Sequence, residues 1–183
     1  MTFLSGQLLI AMPQLEGEPF ERAVIYLCAH TEEGAMGLVI NKMIDISVPA
    51  LLTKLGVEHV GYAGPARVHL GGPVESGCGF VLHSTDYTED RSLRVADDIA
   101  LTATMEVLRA IGRGGGPKRS LLALGYAGWG KGQLESEIRD NGWLHVPADA
   151  EMLFDGHHED KWRRALGKLG VDPSLLSAES GHA

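Results

Sequence analysis

The 183-residue sequence has little cysteine, few aromatic side chains and no long apolar run. Its two cysteines, Cys28 and Cys78, are too few for a disulfide framework and favour a reducing compartment. The apolar run Leu8–Met12 follows no basic segment and is too short for a signal peptide or a membrane span. These absences predict a cytoplasmic protein with no membrane segment.

Basic residues are outnumbered, and the formal net charge is −8 at pH 7. A surface of this sign repels phosphate backbones and disfavours nucleic-acid binding. Four cations flank the glycines of 112–117, namely Arg109, Arg113, Lys118 and Arg119. Such a small group is typical of a solvated loop, and DNA binding would require all four to form one stripe. We therefore predict that direct nucleic-acid binding is not the function.

What the sequence does contain is a series of short apolar runs separated by glycine and proline. These runs predict the strands Gln7–Met12, Ala23–Ala29, Met36–Ile40, Arg67–Leu70, Gly79–His83 and Leu121–Leu124. Helical spacing predicts the helices Val48–Leu55, one through Leu101, Met105 and Leu108, Gln133–Asn141, and one through Trp162, Leu166 and Leu169. Short links between strands favour antiparallel pairs. We predict one α+β domain over residues 1–171 and a loose tail over 172–183.

The glycine-rich stretch "LGGPVESGCGFVLHS", residues 70–84, has spacing close to that of a phosphate-binding loop. Such a loop requires Lys and Ser or Thr where this chain has Cys78 and Gly79, and it leads into a helix rather than a strand. We interpret the stretch as a tight turn between strands that needs Gly72 and Gly79. Cys78 has no nearby cation to activate it and is predicted to be a free thiol on that turn.

His83 and Ser84 follow this turn and are the residue types of a hydrolase site, with Asp86 close behind. A catalytic triad is assembled by the fold from separate elements, and three near neighbours at one strand end rarely converge. His83 and Ser84 are therefore weak catalytic candidates.

A second glycine-rich stretch, "LGYAGWGKGQLESEI", leads from a predicted strand into a helix. Backbone N–H groups at Gly128, Gly130, Lys131 and Gly132 are weak candidates for holding a small anion. The spacing does not match a dinucleotide fingerprint, so a tight turn packed against Trp129 is the favoured interpretation.

Two segments combine histidine with carboxylates. His30, Glu32 and Glu33 fall at a predicted hairpin tip, where polar residues are expected. The segment "DGHHED", residues 155–160, precedes the Trp162 helix and is interpreted as its N-terminal cap. Neither matches the spacing of a known metal motif, so we predict no metal and no cofactor.

Four long stretches together resemble the YqgE/AlgH family of bacterial proteins over nearly the full length. They are GQLLIAMPQLEGEPFERAVIYLCAH, EEGAMGLVINK, GGPVESGCGFVLHS and LLALGYAGWGKGQLESEIRDNGWL. The resemblance implies one α+β domain of strongly bent, coiled sheets with packed helices. It implies no catalytic residue and no cofactor, and some members carry the label of transcriptional regulators of alginate synthesis. Cys78 stands where family members usually have arginine.

Two functions follow from the sequence. The first is a non-enzymatic regulatory or binding module that contacts a protein partner or a small anion through its glycine-rich loops and Trp129. The alternative is a small-molecule hydrolase or other enzyme that uses His83, Ser84 and the region Gly128–Gly132 with Lys131. Convergence of His83, Ser84 and Lys131 on one pocket would favour the enzyme.

Overall fold

The computed structural model describes residues 3–15, 17, 20–62, 64, 67–156 and 158–172. The strands in this part of the chain are β1 (Gln7–Ala11), β2 (Val24–Thr31), β3 (Gly34–Val39), β4 (Met43–Ser47), β5 (Arg67–Leu70), β6 (Val74–Ser84), β7 (Leu93–Ala96), β8 (Ile99–Thr102), β9 (Ser120–Trp129) and β10 (Trp143–Pro147). The helices are α1 (Val48–Lys54), α2 (Met105–Gly112), α3 (Gln133–Arg139), α4 (Ala150–Phe154) and α5 (Lys161–Lys168), with a 3-10 turn at His158–Asp160. The predicted tail from residue 173 onward lies outside the described residues.

The strands form one curled, mostly antiparallel sheet in the order β10-β1-β2-β3-β9-β6-β8-β7. Strand β5 lies off this path, parallel to β9 and antiparallel to β4. The helices flank the sheet, which confirms the predicted single α+β domain and its bent, mostly antiparallel character. None of the described helices is long and apolar enough to cross a membrane.

The apolar strands at the N-terminus are buried on both faces, as their continuous apolar sequences predict. Leu8 and Ile10 of β1 face one cluster, which includes Leu166 of α5. Leu9 and Ala11 face a second cluster, under α3. The indole of Trp162 in α5 donates a hydrogen bond to the carbonyl of Ala11 (2.8 Å). This packing fixes α4 and α5 against one face of the sheet.

Two adjacent glycines allow the chain to cross β9 between β5 and β6. Residues Ala123 and Leu124 of β9 pair with both β5 and β6, so these two strands lie on opposite edges of β9. A Cβ at Gly71 would lie 2.3 Å from the carbonyl oxygen of Gly125, and one at Gly72 would lie 2.1 Å from the backbone of Tyr126. The crossing therefore brings backbone against backbone, which only glycine permits.

The turn predicted between the strands at residues 70 and 79 is shorter than expected and ends before Val74. Strand β6 begins at Val74, and residues 75–78 form a bulge, because Val74 pairs with Tyr126 whereas Gly79 pairs with Leu124. Gly79 has a free side-chain position, with Leu124 Cδ2 4.0 Å away, so the expected requirement for glycine at 79 is wrong. Cys78 is exposed and is a free thiol, as predicted, but on the bulge rather than on a turn.

One predicted helix begins later than its apolar spacing suggests. Leu101 belongs to β8, and the helix starts at Met105 with the Thr104 hydroxyl accepting a hydrogen bond from the Val107 amide (3.3 Å). The β8 residues pair with β6, and this pairing outweighs the helical spacing of the leucines. The elements missed by sequence reasoning are β4, β7, β10 and α4, each of only four or five residues.

Candidate functional site

His83 is fully buried on β6 and belongs to a chain of hydrogen bonds. Its Nδ1 lies 2.8 Å from the carbonyl of Ser84, an acceptor, so Nδ1 carries the proton. Its Nε2 therefore accepts from the Thr102 hydroxyl (2.7 Å), which in turn accepts from the Ser92 hydroxyl (2.7 Å). All the hydrogen-bonding capacity of the imidazole is used inside the core, which is typical of a structural histidine.

Ser84 has different partners from those of His83. Its hydroxyl donates to the Asp86 carboxylate (2.5 Å) and accepts from the Arg119 amide (3.0 Å). The other carboxylate oxygen of Asp86 accepts from the Lys118 amide (3.0 Å). Burial would raise the pKa of Asp86, but the hydrogen bonds from Ser84 and the Lys118 amide outweigh it and lower that pKa. The group ties the end of β6 to the start of β9.

The second glycine-rich stretch forms a tight turn between β9 and α3. Gly128 is the penultimate residue of β9, and Gly132 has a φ of +73° directly before α3. The Gly130 amide donates to the Gln133 side chain (3.0 Å), and Lys131 is exposed. Helix α3 carries Glu135 in its first turn, a charge that opposes an anion there. Anion binding at these residues stays a prediction.

A shallow depression of about 640 Å³ lies beside this turn. Its apolar floor includes Met36, Phe80 and Tyr126, and the exposed carboxylates Glu33 and Glu75 line it as well. It contains Gly128 and Trp129, the region for which sequence reasoning predicts a protein contact. Contact with a partner at this depression also stays a prediction.

A further concave region lies elsewhere, in a cleft between the sheet and α4. We call its first part the inner lobe, a cavity of about 340 Å³. His69 of β5 and His158 of the 3-10 turn line it, with their Nε2 and Nδ1 atoms 3.4 Å apart. The rest of the inner lobe is mainly apolar, with the side chains of Met43, Leu121, Leu153 and Phe154 in its wall.

The second part of the cleft, the outer lobe, is a cavity of about 410 Å³. It shares Ser120, Phe154 and Asp155 with the inner lobe, so the two lie side by side, and we call them together the cleft. Lys118 and Arg119, which precede β9, line the outer lobe and are both exposed. Sequence reasoning assigned these two cations to a solvated loop.

A buried cation stands behind the inner lobe. Lys161, the first residue of α5, is 0% exposed, and its Nζ donates to the carbonyls of Leu153 (3.0 Å) and Ile40 (3.3 Å). Burial lowers the pKa of Lys161 to about 8, so the ammonium is still mainly charged at pH 7. Nearby Asp155 favours the charged form, but its carboxylate also makes a bidentate pair with Arg164 (2.6 and 3.0 Å).

The two imidazoles of the inner lobe are held in the neutral form. Burial is the largest cause and lowers the pKa of His69 to about 3, with further lowering from the charge of Lys161 and, when it is protonated, from that of His158. The pKa of His158 is lowered by burial and by Lys161. The cations that oppose imidazolium formation also oppose a bound metal cation. Among the described residues, no group of three His, Cys, Asp or Glu side chains is placed to hold a metal.

Comparison with known proteins gives the family of this chain. The sequence profile of the AlgH-like family, DUF179, matches residues 8–174. A UPF0301 protein of Rhodopseudomonas palustris is 54% identical over 190 residues, which cover 99% of this chain and 87% of the relative. A second, from Rhodospirillum rubrum, is 52% identical over 182 residues, with 99% and 95% covered. The chain belongs to the AlgH-like family.

Solved structures agree with this assignment. The solution structure of the AlgH protein from Pseudomonas aeruginosa has a TM-score of 0.79 and 41% identity, and covers 100% of this chain and 97% of that one. A crystal structure from Corynebacterium diphtheriae shares the fold at a TM-score of 0.74 and 22% identity, with 89% and 85% covered. The resemblance read from the sequence is thus confirmed.

Sequence reasoning missed the cleft because its residues come from distant segments. His69 and His158 are 89 positions apart, and the cations at 118 and 119 belong to a third segment. The signal that was available is Lys161, a lysine on the same helical face as Trp162 and Ala165, which are core residues. The segment 155–160 does contribute a site residue, His158, although His157 lies outside the described residues.

Proposed function

We propose that this protein is a non-catalytic, cytoplasmic binding module that holds a small anionic ligand in the cleft between the sheet and α4. The observation that carries the proposal is the concentration of cations in this cleft. Arg67, Lys118 and Arg119 line its two lobes, and Lys161 is buried behind them. The two free cysteines support a reducing compartment.

The charge of the cleft differs from that of the whole protein. The chain has a net charge of −8, yet the carboxylates lining the two lobes are only Glu151 and Asp155 among the described residues. Asp155 is already paired with Arg164. A concave site lined by cations focuses a positive potential, which attracts anions even to an acidic protein.

The same cleft offers little support for catalysis. A general acid must carry a proton near the working pH, and the pKa of His69 at about 3 leaves that imidazole neutral. His83 and Ser84, the candidates of the hydrolase alternative, direct their side chains to Thr102 and to Asp86 instead of to a common pocket. Binding without chemistry is therefore the better supported function, and a regulatory role fits a module that responds to its ligand.

The proposal is tested by titrating the full chain with inorganic phosphate and recording heat of binding and amide NMR shifts. We expect saturable binding with shifts at Arg119 and Ser120, and loss of binding in the double variant Lys118→Ala/Arg119→Ala. The matched control is Lys54→Ala/Arg109→Ala, which removes the same charge at exposed positions outside the cleft. Absence of saturable phosphate binding at tens of millimolar, or equal loss in the control, would show the proposal to be wrong.

A further inference from the structure

We infer that the ligand of the cleft is a nucleotide, with its phosphate in the outer lobe and its flat heteroaromatic base in the inner lobe, because the two connected lobes differ in chemistry in this way. The inference rests on the proposed function, since it names the class of anion that the cleft binds. It goes further by assigning a separate task to each lobe.

The outer lobe presents two consecutive cations on a fixed backbone. The Lys118 amide is held by the Asp86 carboxylate and the Arg119 amide by the Ser84 hydroxyl, each at 3.0 Å. Such anchoring fixes the backbone that carries the two side chains, so the loop has less backbone entropy to lose when a ligand binds. The hydroxyl of a nearby residue, Ser120, adds a donor for a phosphate oxygen. Ser84 is thereby a positioning residue for the phosphate lobe.

The inner lobe has a mainly apolar wall that a flat ring can contact, and Arg67 lines it as well. Phe154 is half-buried at the junction of the lobes and offers an aromatic face on which a base can stack. The imidazoles of His69 and His158, whose Nε2 and Nδ1 atoms face each other at 3.4 Å, add no charge to this lobe.

The size and connection of the lobes agree with this assignment. The inner lobe of about 340 Å³ and the outer lobe of about 410 Å³ each fall within the range of roughly 300–1,000 Å³ common for small-molecule sites. Because Ser120, Phe154 and Asp155 line both lobes, the phosphate and the base of one nucleotide would occupy adjacent cavities. A bare phosphate or a sugar phosphate would leave the aromatic and imidazole part of the cleft unused.

The experiment compares probes that differ by one part of the ligand. AMP, GMP, CMP and UMP are titrated against the full chain beside ribose 5-phosphate, which lacks the base, and adenosine, which lacks the phosphate. Since stacking of one base on an aromatic side chain is worth about 1–3 kcal/mol, we expect at least one nucleotide to bind about tenfold or more tightly than ribose 5-phosphate. Adenosine should bind more weakly than AMP.

Variants separate the two lobes. Phe154→Leu and His158→Asn should reduce nucleotide affinity several-fold and leave ribose 5-phosphate affinity unchanged, whereas Lys118→Ala/Arg119→Ala should reduce both. Melting curves show whether each variant is folded. In the wild-type chain, NMR shifts of His158 that appear with a nucleotide but not with ribose 5-phosphate would place the base in the inner lobe without any variant.

The outcomes distinguish this inference from the function on which it rests. If phosphate and ribose 5-phosphate bind in the cleft but no nucleotide binds more tightly, the nucleotide assignment is wrong and the anion-binding module stands. If adenosine binds as tightly as AMP, the phosphate assignment of the outer lobe is wrong. If none of the phosphate compounds binds, both proposals are wrong.

Discussion

Trp129 and Trp143 donate their indole N–H groups to the same atom, Oε1 of Glu137, at 3.0 and 2.9 Å. Both indoles are buried, and their rings pack edge to face with centroids 5.9 Å apart. The other oxygen of Glu137 accepts from the Gln133 side chain (2.9 Å). One carboxylate thus joins α3 to β9 and β10, and it fixes the position of α3 relative to the glycine-rich turn that precedes it.

Replacement of Glu137 by alanine is expected to destabilise the protein by about 2–4 kcal/mol, because two buried indole donors lose their acceptor. Glu137→Gln keeps a carbonyl oxygen in place and should cost less. Urea unfolding followed by tryptophan fluorescence measures both. The control is Glu106→Ala on the exposed face of α2. Equal stability of the Glu137→Ala and Glu106→Ala proteins would contradict this role of the carboxylate.

The crossing of the chain over β9 requires glycine at position 72 but not at position 79, although both belong to one glycine-rich stretch. Gly72→Ala would place a methyl group 2.1 Å from the Tyr126 backbone, so we expect a loss of more than about 3 kcal/mol or failure to fold. Gly79→Ala meets only the end of Leu124 at 4.0 Å and should change stability by less than about 0.5 kcal/mol. Thermal unfolding of the two variants tests this, and similar melting temperatures would argue against the crossing.

The motif sequence could predict a tight turn here but not the identity of the glycine it requires. Gly72 and Gly79 stand in equally glycine-rich surroundings, and the difference between them arises from β9, about fifty residues later in the chain. The strongly apolar strands and the helix around Trp162 were predictable because burial on both faces, or on one helical face, leaves a periodic pattern. Short strands such as Leu93–Ala96 carry too few residues to show one.

The candidate site was less predictable than the fold for a related reason. Each of its residues has an ordinary local role in the sequence: His69 lies in a strand, His158 before a helix, and Lys118 in a loop. Their shared cleft exists only because β5 lies beside β9 and α4 packs across both. By contrast, His83 and Ser84 are candidates because they are neighbours in sequence, but consecutive strand residues point to opposite faces of a sheet and so do not share a site.

Burial of neutral His69 predicts a specific loss of stability in acid. Its pKa is about 3 in the folded protein, against 6.5 for an ordinary histidine, so between these values the unfolded chain binds a proton that the folded protein does not. Stability therefore falls as the pH drops through this window, by up to about 1.4 kcal/mol per pH unit. The free energy of unfolding of His69→Gln minus that of wild type should therefore increase by about 2 kcal/mol as the pH is lowered from 8 to 5.

Urea unfolding of both proteins at pH 8, 6 and 5 provides the test. The difference at pH 8, where a histidine is neutral in both states, measures the cost of the substitution itself and serves as the control. A difference between the two proteins that is the same at all three pH values would show that His69 takes up no proton on unfolding.

Lys161 acts on both imidazoles of the inner lobe through its charge, and its removal should change their titration. The ammonium lowers the pKa of His69 and of His158, so Lys161→Met should raise both values. NMR titration of the imidazole carbon-bound protons measures the shift, and the spectrum of the core methyl groups shows that the variant is folded. Lys131→Met, which removes an exposed lysine from the turn before α3, is the matched control. Unchanged imidazole titration in Lys161→Met would show that the buried ammonium does not lower the pKa of His69 or of His158.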